Sequence, residues 1–295
     1  MNGNIILASS LCFLGGELVA SAQLMVPGFD AARVVLTQTG DSDIDGDDGS
    51  FQVSRFQLLS LLSRPLTPAD GLFILPIFDY KLTDFRFDGT PAGYPISDED
   101  LHSLSLSSFL LSMREGSPWI FGAWMRAELA SDFQHIDGDD FTFDLAAGGG
   151  YRFNEAFTLG AGAAVMNLNG DTSIYPGINL DWVACDQLRV GIYGPTMVAA
   201  YSPSEDWVLS FREEPLGGIW NITGESDESR SIKFTSIRLG LYLSRRLTDN
   251  LWLTGGGGCT VANGLDYTTP GGRKLDERDS GSSLFGTIGL RLKAW

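Results

Sequence analysis

The chain has 295 residues, 43% of them hydrophobic, and 37 acidic against 20 basic residues give a formal net charge of −17. That apolar content excludes a disordered chain. The acidity excludes a general nucleic-acid binder, which needs a basic face to displace counterions.

The first segment reads as an export signal. An apolar run, "IILASSLCFLGGELVASAQ", ends in Ala20-Ser21-Ala22 before Gln23, which predicts a cleaved signal peptide over residues 1–22 and a mature domain over residues 23–295. No Lys or Arg precedes the run, and Leu11 before Cys12 does not fit a lipoprotein site. After Gln23 no apolar stretch is long enough for a transmembrane helix. Only Cys185 and Cys259 remain, too few and too far apart for a disulfide framework or a metal cluster.

From Arg33 the apolar period is two. The first interruption is "DSDIDGDDGS", in which Asp41, Asp43, Asp45 and Gly46 begin like a calcium loop. Such a loop needs a bidentate acid at its twelfth position, where this chain has Gln52, and its flanks "RVVLTQTG" and "FQVSRFQ" are strand-like rather than helical. The segment therefore reads as a solvated acidic turn. Asp41, Asp43 and Asp45 are kept as candidates for loose Ca2+ or Mg2+ binding of the millimolar kind found in extracellular sites, and no other cofactor is expected. A partial copy, "IDGDD", recurs at Ile136–Asp140.

In "LHSLSLSS", His102 lies beside Ser103 and Ser105. A serine hydrolase needs its base and nucleophile within mutual reach, but alternation sends Ser103 to the opposite face from His102. "WIFGAWMRAELASDF" then alternates Trp119, Phe121, Met125 and Leu129 against Trp124, Arg126 and Glu128. "FTFDLAAGGGYRF" alternates Phe141, Phe143, Leu145 and Phe153 against Asp144 and Arg152. "TLGAGAAV" contains G-x-G, but no helix follows, so a dinucleotide loop is rejected. "LRVGIYGPTMVAAYS" is either one strand broken at Gly194-Pro195 or a short hairpin, because proline cannot donate into a ladder. Near the end, Leu239, Leu241 and Leu243 alternate with Arg238 and Tyr242, and Leu284, Ile288, Leu290 and Leu292 oppose Arg291 and Lys293.

Several of these strands run past about ten residues, the length a tilted membrane-spanning strand needs. Short connections ("FNEA", "CDQ", "SPSED", "LTDN") alternate with long polar ones at 41–50, 88–100, 134–140, 169–176, 223–230 and 266–282. The face opposite the apolar one carries Arg126, Glu128, Asp144, Arg152, Asp181, Arg189, Arg212, Arg238 and Arg291. These are the candidate interior or pore-lining charges.

This pattern resembles a bacterial outer-membrane β-barrel over nearly the whole mature chain. "YSPSEDWVLSF" and the acidic first loop resemble a barrel family of unknown function. Like such barrels the chain ends in an aromatic, Trp295, although it is out of phase with Leu290, Leu292 and Ala294. The resemblance implies an all-β, antiparallel up-and-down transmembrane barrel of roughly 12 to 14 strands, located in the bacterial outer membrane. It implies bilayer lipid and the barrel assembly machinery as partners. The expected role is a passive porin-like channel or a structural surface protein without catalytic activity. Two alternatives stay open: a lipid-acting enzyme using His102, and a secreted β-sandwich binding calcium through its acidic loops.

Overall fold

A computed structural model describes residues 30–45, 49–69, 71–89, 98–168, 171–223, 229–269 and 274–293. The signal-peptide segment and Trp295 lie outside the described residues. Fourteen strands form the barrel wall. They are β1 (Asp30–Thr39), β2 (Ser50–Leu61), β3 (Leu72–Asp88), β4 (Glu99–Met113), β5 (Trp119–Ser131), β6 (Phe141–Asn154) and β7 (Phe157–Leu168). After these come β8 (Asp171–Cys185), β9 (Leu188–Tyr193), β10 (Thr196–Ser204), β11 (Trp207–Thr223), β12 (Ser229–Arg246), β13 (Leu251–Thr268) and β14 (Leu284–Lys293).

Each strand pairs antiparallel with the next, and β14 pairs back onto β1 from Asp30↔Lys293 to Thr39↔Phe285. The sheet is therefore a closed up-and-down barrel, not a sandwich. Closure leaves neither the first nor the last strand a free edge, as a sheet standing in hydrocarbon requires.

Outward residues are apolar through the middle of the wall. Phe121, Met125, Phe143, Leu145, Leu241, Leu243, Ile288, Leu290 and Leu292 are all exposed large hydrophobics. At the short-turn end Trp119 packs edge-on against Tyr151 at 5.0 Å, and Phe153 packs on Tyr151 at 4.9 Å and on Phe157 at 5.5 Å. Aromatic rings at this level make the interfacial girdle of a membrane barrel. β3 shows where the apolar zone stops. Its outward residues run Ile74, Phe78, Tyr80, Leu82 and then change to Asp84, Arg86 and Asp88. From residue 74 to residue 82 the path is about 26 Å at about 3.3 Å per residue, or about 20 Å of height at a strand tilt of about 40°, most of an apolar band of roughly 25 Å.

The inner face is layered. One buried apolar cluster, including Leu59, Leu75, Phe109, Trp124, Val198 and Trp252, fills the short-turn half. A second, including Phe51, Phe85, Leu101, Trp220, Phe234 and Tyr267, fills the loop half. A charged belt lies between them. In β2 the change of phase is plain: Phe51 and Val53 are buried while Gln52 and Ser54 face out, and below them Arg55 is buried while Phe56 faces out. Above the bilayer the wall is an ordinary β protein with its core inside; within the bilayer the outer face turns apolar, while the inner face is charged at the belt and apolar again toward the short turns.

Two expectations about connections are corrected. Residues 169–176 are not one long outer loop, because β8 pairs with β7 from Asp171↔Leu168 through Pro176↔Ala163. Residues 274–280 likewise form a short strand on β13 inside the expected long loop. The Leu188–Tyr201 ambiguity resolves as the hairpin β9–β10, turning at Gly194, whose φ of 56° suits glycine.

These two zones give a testable contrast. Leu290→Arg, on the lipid face, is expected to destabilise the barrel by roughly 2–4 kcal/mol. Ser54→Lys, outward but two residues beyond Phe56, is expected to shift stability by less than about 0.5 kcal/mol. Urea unfolding of the barrel in phospholipid vesicles measures both.

Candidate functional site

The belt is built by period-two geometry: inward positions of long strands stack charges at one height. Arg126 Nε donates to Asp144 Oδ2 at 2.8 Å, and its Nη1 lies 3.1 Å from Glu128 Oε2. Arg189 Nε donates to Asp181 Oδ1 at 2.7 Å. Arg238 Nη2 donates to Glu214 Oε1 at 2.9 Å, and the Tyr242 hydroxyl donates to the same oxygen at 2.9 Å. The Arg212 guanidinium lies 4.1 Å from the centre of the Tyr242 ring. That ring occupies the space a Cβ at Gly256 would need, so the glycine run of β13 makes room for it. At the seam, Arg291 Nε donates to Asp30 Oδ2 at 3.0 Å and Lys293 Nζ lies 2.7 Å from Asp30 Oδ1.

All nine charges singled out from the sequence stand on inward positions of their strands. Arg212, Arg238 and Arg291 border the cavity of the belt, whereas Arg152 shares a pairing row with Thr158 and Asp181 and its backbone amide donates to Pro118 O at 2.8 Å, toward the short-turn end. Sequence reasoning missed Asp30, Arg33, Arg55, Asp79, Lys81 and Glu214, and it put Lys293 on the inward face without counting it among the interior charges. The signal for Asp79 and Lys81 was present, since they alternate with Phe78, Tyr80 and Leu82. Gln57 Nε2 donates to Asp79 Oδ1 at 2.8 Å, and Lys81 lies 3.8 Å from Asp79.

Paired charges crowd the belt, and the cavity inside it measures only about 70 Å³. A larger cavity of about 630 Å³ lies beside it, bordered by Trp124, Arg126, Ala146, Asn179, Leu216 and Phe234.

The acidic segments are engaged in turn chemistry. Gln52, at the twelfth position of the calcium-like run, donates from Nε2 to Asp41 Oδ1 at 2.7 Å. In the second copy, Asp137 caps a 3-10 turn at Gly138–Asp140: its Oδ1 accepts from the Asp139 amide at 2.8 Å, and Asp140 Oδ2 accepts from the Asp137 amide at 2.8 Å. This is a capping box. Burial raises the Asp140 carboxyl above its ordinary value, whereas the Phe87 amide holds the Asp98 carboxyl below it. Among the described residues, no three His, Cys, Asp or Glu side chains form a group that could hold a metal.

His102 faces outward. Its Nδ1 shares a hydrogen bond of 2.9 Å with the Tyr80 hydroxyl, and Phe133 stacks on its ring at 4.7 Å. Ser103 faces inward and its Oγ accepts from Trp220 Nε1 at 2.9 Å. The sheet separates this base from this hydroxyl.

Asp30 offers the sharpest test of the belt. It is buried with Arg291 and Lys293, and Asp30→Ala would strand both cations. Removing one partner from a buried pair costs about 3–5 kcal/mol. The variant is expected to unfold at correspondingly lower urea concentration than the parent barrel.

Comparison with known proteins places this architecture among others. No curated protein matches the chain. Among solved structures, the COG4313 outer membrane channel from Pseudomonas putida F1 is 13% identical with a TM-score of 0.46, over 90% of this chain and 96% of that one. The KdgM porin is 9% identical with a TM-score of 0.38, over 89% and 99%. The translocator domain of the autotransporter NalP from Neisseria meningitidis is 10% identical with a TM-score of 0.37, over 92% and 91%. A family described as a domain of unknown function, DUF6268, matches residues 94–293, more than half of the sequence, and the chain belongs to that family.

Proposed function

We propose that this outer-membrane β-barrel acts as a porin-like passive channel with no chemistry of its own. The observation that carries the reading is a cavity of about 630 Å³ inside a closed ring whose outer face is apolar. Such a ring holds a partly hollow interior across a bilayer without leaving its first or last strand open to lipid. A lipid-acting enzyme draws no support from His102 and Ser103, which lie on opposite faces of the wall.

The structural surface protein is the second reading, favoured by the two apolar clusters that cross the lumen above and below the belt. Bilayer lipid and the barrel assembly machinery are the proposed partners in both. Planar-bilayer recording separates the two readings. The channel reading expects discrete conductance steps; silence at every voltage, from protein whose unheated sample migrates apart from the boiled chain, leaves the structural one.

We also propose that divalent cations bind the outer acidic turns only weakly, because Asp41, Asp137 and Asp140 already serve local hydrogen bonds. Calorimetry is expected to show heat only at about millimolar Ca2+. Saturation in the micromolar range would reveal a real site.

A further inference from the structure

The barrel wall is uneven at one place. β9 and β10 have 6 and 9 residues, whereas their neighbours β8 and β11 have 15 and 17. Pairing of β8 with β9 stops at Asn179↔Tyr193, and pairing of β10 with β11 stops at Met197↔Glu213. Beyond those points β8 keeps β7 and β11 keeps β12, so a gap stands above the Gly194–Pro195 turn. The upper part of β11 leans across the lumen and meets β5 in one parallel bridge, Asn221↔Ser131. A side chamber is left beneath β6, β7 and β8, and it is the cavity of about 630 Å³.

The chamber borders the gap in the wall. Successive residues of a strand point to opposite faces. Gly177 and Asn179 point inward from β8 while Pro176 and Ile178 point outward, and all four border the same cavity. Leu216 and Gly217 do the same from β11. The lining thus takes in both edges and the Gly194–Pro195 turn at the foot of the gap, so the chamber meets the gap along its length.

The edges are built to stay unpaired. Ile178 O accepts from the Gly194 amide at 3.0 Å, so even-numbered residues here aim their backbone groups at the gap, and Pro176 has no N–H to leave stranded. Asn221 O accepts from the Asp132 amide at 3.2 Å, so odd-numbered residues of β11 point away from β12. Pro215 is one of them, and Gly217 O accepts from Arg55 Nη2 at 3.1 Å. Each edge thus carries a proline where an orphaned donor in an apolar setting would be costly.

The gap opens at the upper margin of the lipid-facing band. On the β8 side the band continues up the rim through Ile174 and Ile178, 72% and 58% exposed. On the β11 side it runs through Leu209 and Phe211, and the outward Glu213 stands at the foot of the gap.

We propose that this gap is a lateral portal through which a neutral apolar molecule dissolved in the outer leaflet enters the chamber, rather than passing along the barrel axis. The proposal rests on the channel reading and names its substrate class. The chamber volume falls in the range of about 300–1,000 Å³ typical of small-molecule sites. Trp124, Ala146, Met166, Leu216 and Phe234 make its lining largely apolar. Its cations Lys81, Arg126 and Lys233 are matched by Asp79, Asp144, Glu128 and Asp266, which leaves no surplus positive charge for an acidic headgroup.

The test uses the full chain in the outer membrane of intact cells. The probe is N-phenylnaphthylamine, a neutral dye dark in water and bright in membranes. Cells carrying the barrel are expected to take it up faster than cells without it. Gly177→Trp should return uptake to the rate without barrel, whereas Gly177→Ala should keep the parent rate; a Cβ at Gly177 meets only Gly194 Cα, at 3.7 Å, so the backbone has room for both. Equal uptake with and without the barrel overturns the proposal. So does parent-rate uptake by a Gly177→Trp barrel whose unheated sample still shows the folded gel shift. If Gly177→Trp does not fold, photolabelling of the unaltered barrel in vesicles by a diazirine-bearing long-chain alcohol decides. Label on Leu216 and Phe234 supports the portal, and label confined to outward residues such as Phe143 and Leu290 removes it. Dye uptake without ion conductance keeps the portal and discards the axial channel; conductance without barrel-dependent uptake does the reverse.

Discussion

Hydrocarbon offers the backbone no hydrogen-bond partner, and that constraint organises this protein. A sheet can stand in lipid only when every N–H and C=O is paired, so the last strand must find the first. β14 does so along the whole of β1. The ion pairs of Arg291 and Lys293 with Asp30 sit on the inner side of that seam and tie the two ends of the described chain together. Once the ring closes, inside and outside are defined, and strand alternation sorts residues between them.

What fills the inside follows from the same burial. Charges brought into a narrow lumen are stable only when paired and hydrogen-bonded. The belt meets that condition with carboxylates shared between cations and with Tyr242 bound to Glu214. Above and below it the lumen is packed with apolar side chains, as in a soluble core. Openness survives to one side, where the short β9–β10 hairpin fails to fill the wall between β8 and β11.

The barrel itself was legible from the letters. Period two, strand length, alternating turn lengths and inward charges are local properties, and the lipid-facing residues of β5, β6, β12 and β14 lie where alternation puts them. The opposite placement of His102 and Ser103 follows from the same rule. The apolar filling of the lumen was not legible. Phe51, Val53, Phe85 and Trp220 are hydrophobic on the inward face, and a sequence cannot say at which height the solvent outside changes from lipid to water. Residues 171–176 pair as strand although 169–176 reads as a polar connection: proline is tolerated on a strand with one unpaired edge, and edge pairing is a tertiary fact. The acidic turns were half legible. Gln52 spoke against a calcium loop, but the capping box of Asp137 and Asp140 depends on a backbone turn that spacing alone does not reveal.

The sequence by itself determined long alternating strands with an apolar face opposite a charged one, because strand alternation sorts residues locally, and the pairing of β14 with β1 decided for a closed barrel over a sandwich. Only the tertiary structure decided which charges meet, how the lumen is plugged, and where the wall opens. Those outcomes depend on strand register and on contacts across the ring, such as Arg55 with Gly217 and Trp220 with Ser103, between residues 162 and 117 positions apart. No local pattern encodes a distance of that kind.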